Sequence, residues 1–129
     1  MRRKIMVIDD EEPVRKTIRL QLSGTAYEIV EAANGKEGID LLNSGDNPLT
    51  VDLIICDIRM PEINGKEAIK YFRREYRGTP IIVLTGYPDV QLAVNCIKRG
   101  VCDYIVKPVE KEHLIAAVEK ALKQRTVFE

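Results

Sequence analysis

The chain has 129 residues, with 20 Lys+Arg balanced by 20 Asp+Glu, so its formal net charge is zero. That balance speaks against a polybasic nucleic-acid binder, and a composition 45% hydrophobic and 31% charged speaks against disorder. Apolar runs such as Leu53–Cys56 and Ile81–Leu84 fall far short of the roughly 18 residues of a membrane span. The basic start Met1-Arg2-Arg3-Lys4 leads only into Ile5–Ile8 before acids interrupt, too short for the apolar core of a signal peptide. Three cysteines, Cys56, Cys96 and Cys102, form no CxxC pair, which suggests reduced thiols and a cytoplasmic setting.

In chain order, Lys4–Ile8 reads as a buried strand. From Pro13 to about Ser23, Val14, Ile18 and Leu22 repeat at helical spacing, with Pro13 suited to the first turn and Gly24 ending the pattern. Tyr27–Ala32 is a second strand. Asn34 followed by Glu37 has the spacing of a capping box and opens a helix carrying Ile39, Leu41 and Leu42. Ser44–Pro48 reads as a polar loop. Val51–Cys56 is almost wholly apolar, as suits a central parallel strand covered on both faces. An amphipathic stretch over Gly65–Tyr76 precedes a fourth strand, Pro80–Leu84. The next helix, Pro88–Arg99, carries Val90, Ala93, Val94 and Ile97 on one face, and Gly100 stops it. Tyr104–Val106 is a fifth strand. The last helix, Glu110 to about Gln124, turns Leu114, Val118, Ala121 and Leu122 inward. Five strand–helix units in this order predict an α/β fold with a doubly wound parallel sheet.

Ligands bind such sheets beyond the carboxyl ends of the strands. Asp9, Asp10, Glu11 and Glu12 follow the first strand and Asp57 the third. Thr85 and Gly86 follow the fourth, and Lys107 and Pro108 the fifth. If the first, third and fourth strands are neighbours, these residues share one rim. Clustered carboxylates call for a hard divalent cation, and Mg²⁺ is commonly held by one or two of them plus a phosphate. Lys107 supplies a compact positive charge for a phosphoryl oxygen, Thr85 a hydroxyl, and Gly86 an unobstructed backbone N–H. These are parts for phosphoryl transfer, and aspartate is a known acceptor.

On Asp9-Asp10, Asp57-Ile58-Arg59-Met60-Pro61 with Gly65, Thr85-Gly86, Tyr104 and Lys107-Pro108, the chain resembles the receiver domain of two-component response regulators. The resemblance runs from about residue 3 to 124 and implies one receiver domain over 1–129. It implies a five-stranded flavodoxin-like (βα)5 sheet of order 2-1-3-4-5, as in chemotaxis regulators. Asp57 would accept a phosphoryl group from a sensor histidine kinase or phosphotransfer protein. Asp10 would bind Mg²⁺ directly, Asp9 largely through water, and the backbone carbonyl of Arg59 would add a ligand. Lys107, Thr85 and the Gly86 amide would hold the phosphoryl group. Thr85 and Tyr104 would form the switch, and Lys107–Pro108 would be cis. Gly86 stands where the family more often has Ala.

The same resemblance makes this a signalling domain that catalyses only its own phosphorylation and dephosphorylation. Its output face would comprise the helix after Thr85, the strand with Tyr104 and the last helix, without direct binding to nucleic acid or membrane. Arg59 and Tyr87 would border the path of the hydrolytic water. The chain is either a stand-alone receiver or the N-terminal piece of a longer regulator. A Mg²⁺-dependent phosphohydrolase with an aspartate nucleophile is the alternative, but its acid/base position is held by Arg59, which cannot serve at neutral pH. A flavodoxin-like cofactor carrier would need a phosphate cradle where this chain has four acids. The aromatic–basic stretch Tyr71–Arg77 fits an amphipathic helix, and His113 has no metal-ligating companions nearby.

Overall fold

The structure, a computed structural model, describes residues 3–24, 26–58, 65–86 and 90–124. The strands are β1 (Arg3–Ile8), β2 (Tyr27–Ala32), β3 (Val51–Asp57), β4 (Ile81–Thr85) and β5 (Asp103–Val106). They form a parallel sheet in the order β2-β1-β3-β4-β5, the order expected. The helices are α1 (Glu12–Gln21), α2 (Gly35–Leu42), α3 (Asn47–Thr50), α4 (Gly65–Glu75), α5 (Val90–Lys98) and α6 (Lys111–Gln124). Among the described residues, no helix is long and apolar enough to cross a membrane.

Alternation along the strands builds two cores. Met6, Ile8, Ile54, Cys56 and Val83 face one layer, where Leu42, Ile69, Phe72 and Cys96 cover them. Ile5, Val7, Leu53, Ile55, Ile82, Leu84 and Ile105 face the other, under Ile18, Leu22, Leu114 and Val118. The central strands are apolar at nearly every position because each face has its own cover. At Gly38, a Cβ would come within 2.5 Å of Ile8 Cδ1, so a side chain there would force that residue aside.

Helix ends follow their local chemistry. The Asn34 side chain accepts the Glu37 N–H at 2.8 Å, and its amide donates to the Glu37 carboxylate at 3.1 Å. Asn34→Ala should therefore cost about 1 kcal/mol, the usual worth of a cap, read as a lower urea midpoint. Gly100, at φ +87°, ends the turn after α5 in the left-handed region that glycine tolerates best.

Two expectations change. The polar loop after α2 closes into a helical turn, because Pro48 favours helix entry and the Asp46 carbonyl accepts both the Leu49 and Thr50 N–H groups. The apolar stripe read on α5 faces outward: Val90 is 83% exposed and Ile97 62%. Leu92 and Cys96 face the core instead. Both stripes have helical spacing, so periodicity alone does not choose between them. The Cys96 carbonyl accepts the Val101 N–H at 3.1 Å, which anchors that side of the helix end to the strand that follows.

Candidate functional site

Strand parity sorts the site residues onto two faces. Asp9 and Asp57 continue the side of Val7 and Ile55, and Lys107 that of Ile105, all toward α1 and α6. Thr85 and Tyr104 have the opposite parity, with Val83, toward α4 and α5. Parallel pairing brings the two sets to one rim, because all five strands end there.

The carboxylates of Asp9, Asp10, Glu11 and Asp57 each place an oxygen within 4.8 Å of the others. Asp9 is 0% exposed and Asp57 3%, whereas Asp10 and Glu11 are open to solvent. Lys107 Nζ lies 2.8 Å from Asp9 Oδ2, 3.1 Å from Asp57 Oδ2 and 3.4 Å from Glu11 Oε1. Burial pushes the Asp9 carboxyl above its usual range, although Lys107 and the Glu11 N–H pull the other way. Burial alone would lower the Lys107 ammonium, but its pairing with Asp9 and Asp57 outweighs that and holds it well above the ordinary lysine range. One ammonium thus pairs with three of the four clustered carboxylates.

Local geometry sets these positions. Asp9 Oδ1 accepts the Glu11 N–H at 2.8 Å, a turn within the acidic loop that the residue type favours. The Lys107 N–H donates to the Thr85 carbonyl at 2.7 Å, tying the end of β4 to the lysine. Lys107–Pro108 is cis, as expected. Thr85 is fully buried. A Cβ on Gly86 would meet nothing within 4 Å, so an alanine would fit there without a clash. Tyr104 is half-buried against the α4/α5 core, and its hydroxyl is buried with no hydrogen-bond partner among the described residues.

The sequence reading gave Glu11 no role, although the structure sets it in the acidic cluster and Glu12 in the first turn of α1. The signal was the Asp at Asp9, which can fold back onto an N–H two residues on. Arg59, Met60, Pro61 and Tyr87 lie outside the described residues. Cys56 points away from Asp57 into the core, and burial pushes its thiol well above the ordinary range, so it is unreactive. His113 is exposed on α6.

Residues 5–119 match the family model of the response regulator receiver domain. The chain belongs to that family. This receiver domain is 33% identical over 120 residues to the transcriptional regulatory protein GlrR of Escherichia coli (strain K12), covering 93% of this chain and 26% of that one. It is 34% identical over 123 residues to the response regulator MprA of Mycolicibacterium vanbaalenii, covering 95% and 52%. The domain therefore spans about a quarter to a half of these relatives. Among solved structures, a response regulator receiver domain protein from Clostridium thermocellum superposes with a TM-score of 0.87 at 29% identity, covering 95% of each chain. A CheY-like receiver domain protein from Methanospirillum hungatei gives 0.86 at 25% identity, covering 97% of each.

Proposed function

We propose that this receiver domain is the cytoplasmic acceptor of a two-component phosphorelay, that Asp57 takes the phosphoryl group, and that residues 1–129 act as one such domain. The observation that carries the reading is Asp57 itself. It is a buried carboxylate 3.1 Å from an ammonium, beside three further acids.

The donor set suits Mg²⁺: every candidate ligand is a hard oxygen, the charge deficit calls for a cation, and the exposed Asp10 and Glu11 leave room for the waters this ion retains. Asp10 and Asp57 would hold it, with Asp9 through water; the Arg59 carbonyl implied by the resemblance lies outside the described residues. When bound, the ion neutralises charge on the phosphoryl oxygens.

In the reaction, an Asp57 oxygen attacks the phosphorus of a phosphohistidine donor. An O–P bond forms, the P–N bond breaks, and the electron pair leaves with the imidazole nitrogen, which takes up a proton. Lys107 orients Asp57 beforehand and then pairs with the arriving phosphoryl oxygens. Thr85 and the Gly86 amide hold the remaining oxygens. Movement of Thr85 opens space for Tyr104 on the same face, which changes the surface of α5, β5 and α6. That surface exposes Val90, Ile97 and Val106 beside Gln91, Asn95, Lys98 and Lys111, and it is the face that an output domain or partner would read.

Acetyl phosphate bearing labelled phosphorus tests the reading. Label sensitive to hydroxylamine is expected with Mg²⁺ and lost in chelator. Absence of label under both conditions, or label indifferent to chelation, would overturn it. Within the site, Asp10→Asn should weaken Mg²⁺ binding by about 10-fold, the scale on which changes around a metal act. Glu12→Gln, on the first turn of α1, should leave it unchanged, and equal losses in the two titrations would contradict this placement.

A further inference from the structure

We propose that Arg15 is a positioning residue for the acidic site, fixing the peptide that joins Asp9 to Asp10. The inference rests on the metal reading given above and extends it to a residue outside the acidic cluster.

Arg15 lies on α1, and its side chain is 15% exposed. Its Nη1 donates to the backbone carbonyl of Asp9 at 2.5 Å, and its Nε donates to Glu31 Oε1 at 3.2 Å. The other oxygen of Glu31 accepts from Arg19 Nη1 at 2.5 Å. Glu31 sits on β2 opposite Val7, and its neighbour Ala32 accepts the Asp9 N–H at 3.1 Å. Both peptide groups of Asp9 are therefore held. β2 takes the N–H, while Arg15, itself braced on β2 by Glu31, takes the carbonyl.

β1 ends at Ile8, so the Asp9 carbonyl lies just past the strand and the guanidinium supplies its donor. A peptide is planar, so fixing that carbonyl fixes the direction in which the chain leaves toward Asp10. Asp10 is exposed and its direction is set mainly by its backbone. Arginine suits the task because its rigid fork serves two acceptors at once, which a single ammonium on a flexible stem does less well. Arg19 is a built-in control: it shares Glu31 but is not bonded to Asp9.

The test titrates Mg²⁺ into the parent, Arg15→Met and Arg19→Met, following backbone amide NMR shifts, with urea unfolding recorded for each. The dissociation constant is expected to rise by about 10-fold in Arg15→Met and by less than about twofold in Arg19→Met, since groups that orient metal ligands act on this scale. Without metal, the Asp10 and Glu11 amide shifts should move in Arg15→Met only. Unchanged affinity in Arg15→Met overturns the proposal, as do equal losses in both variants, which would mark a clamp of α1 to β2 and nothing more. Should Arg15→Met fail to fold, Arg15→Lys is read in its place. A weakening of at least about threefold is expected there, below the full loss of a supporting group, and unchanged affinity overturns the proposal. A parent protein that binds no Mg²⁺ overturns the metal reading itself; the metal-free shifts then decide whether Arg15 positions the loop.

Discussion

Asp57→Asn is expected to abolish stoichiometric acyl-phosphate labelling, with a loss of at least about 100-fold, as removal of a nucleophile produces. The amide is nearly isosteric with the carboxylate, so the packing at the end of β3 survives. What disappears is the anionic oxygen that, on the reading proposed above, attacks phosphorus. The variant also removes one of four clustered carboxylates, which relieves repulsion among the rest, and Lys107 keeps Asp9 as its partner at 2.8 Å, so no buried charge is left unpaired as it is when the lysine is removed. Its urea midpoint in chelator should therefore be no lower than the parent's. Persistent labelling would move the nucleophile to another acid of the cluster. Loss of label together with loss of the cooperative unfolding transition would remove the support this variant gives to Asp57.

Lys107→Met is expected to destabilise the protein in chelator by about 3 kcal/mol, the lower end of the cost of removing one partner from a buried ion pair. The Lys107 side chain is 13% exposed, and its ammonium touches Asp9, which has no exposure, and Asp57, which has almost none. Methionine keeps much of the stem's packing and leaves both carboxylates without their cation. The lower figure applies because the site opens to solvent at Asp10 and Glu11. Lys111→Met, on the exposed first turn of α6, should change stability by no more than about 0.5 kcal/mol. Equal effects of the two substitutions in urea unfolding would show that Lys107 is not the counter-ion described.

What was legible in the sequence followed from chemistry that is local to the chain. Short apolar runs named all five strands, and the acids, Thr85 and Lys107 could be read at their ends. Asn34 and Glu37 announced a helix start that the structure bonds as expected. The order of the strands was not local, because nothing in β1 says that β3 lies beside it; that came from the resemblance. The core-facing side of α5 was misread because the helix carries two apolar stripes of the same spacing, and it is the packing of Leu92 and Cys96 against the core that tells them apart. The tie from Arg15 to the Asp9 carbonyl was invisible for another reason. A basic residue on the second turn of a helix reads as a solvated side chain, and the partner that turns it inward, Glu31, comes from a different strand.

Strand parity has a consequence for how such a protein can change over generations. Asp9, Asp57 and Lys107 face one helical layer, and Thr85 and Tyr104 face the other, with the sheet as a partition between them. On the reading proposed above, drift in α1 would retune which donor is accepted while the packing around Thr85 and Tyr104 stays intact. On the same reading, drift on the outer side of α5 would recruit a new listener without disturbing the acids. The rim of strand ends is shared by both layers, and it is there that a substitution would be felt on both sides at once.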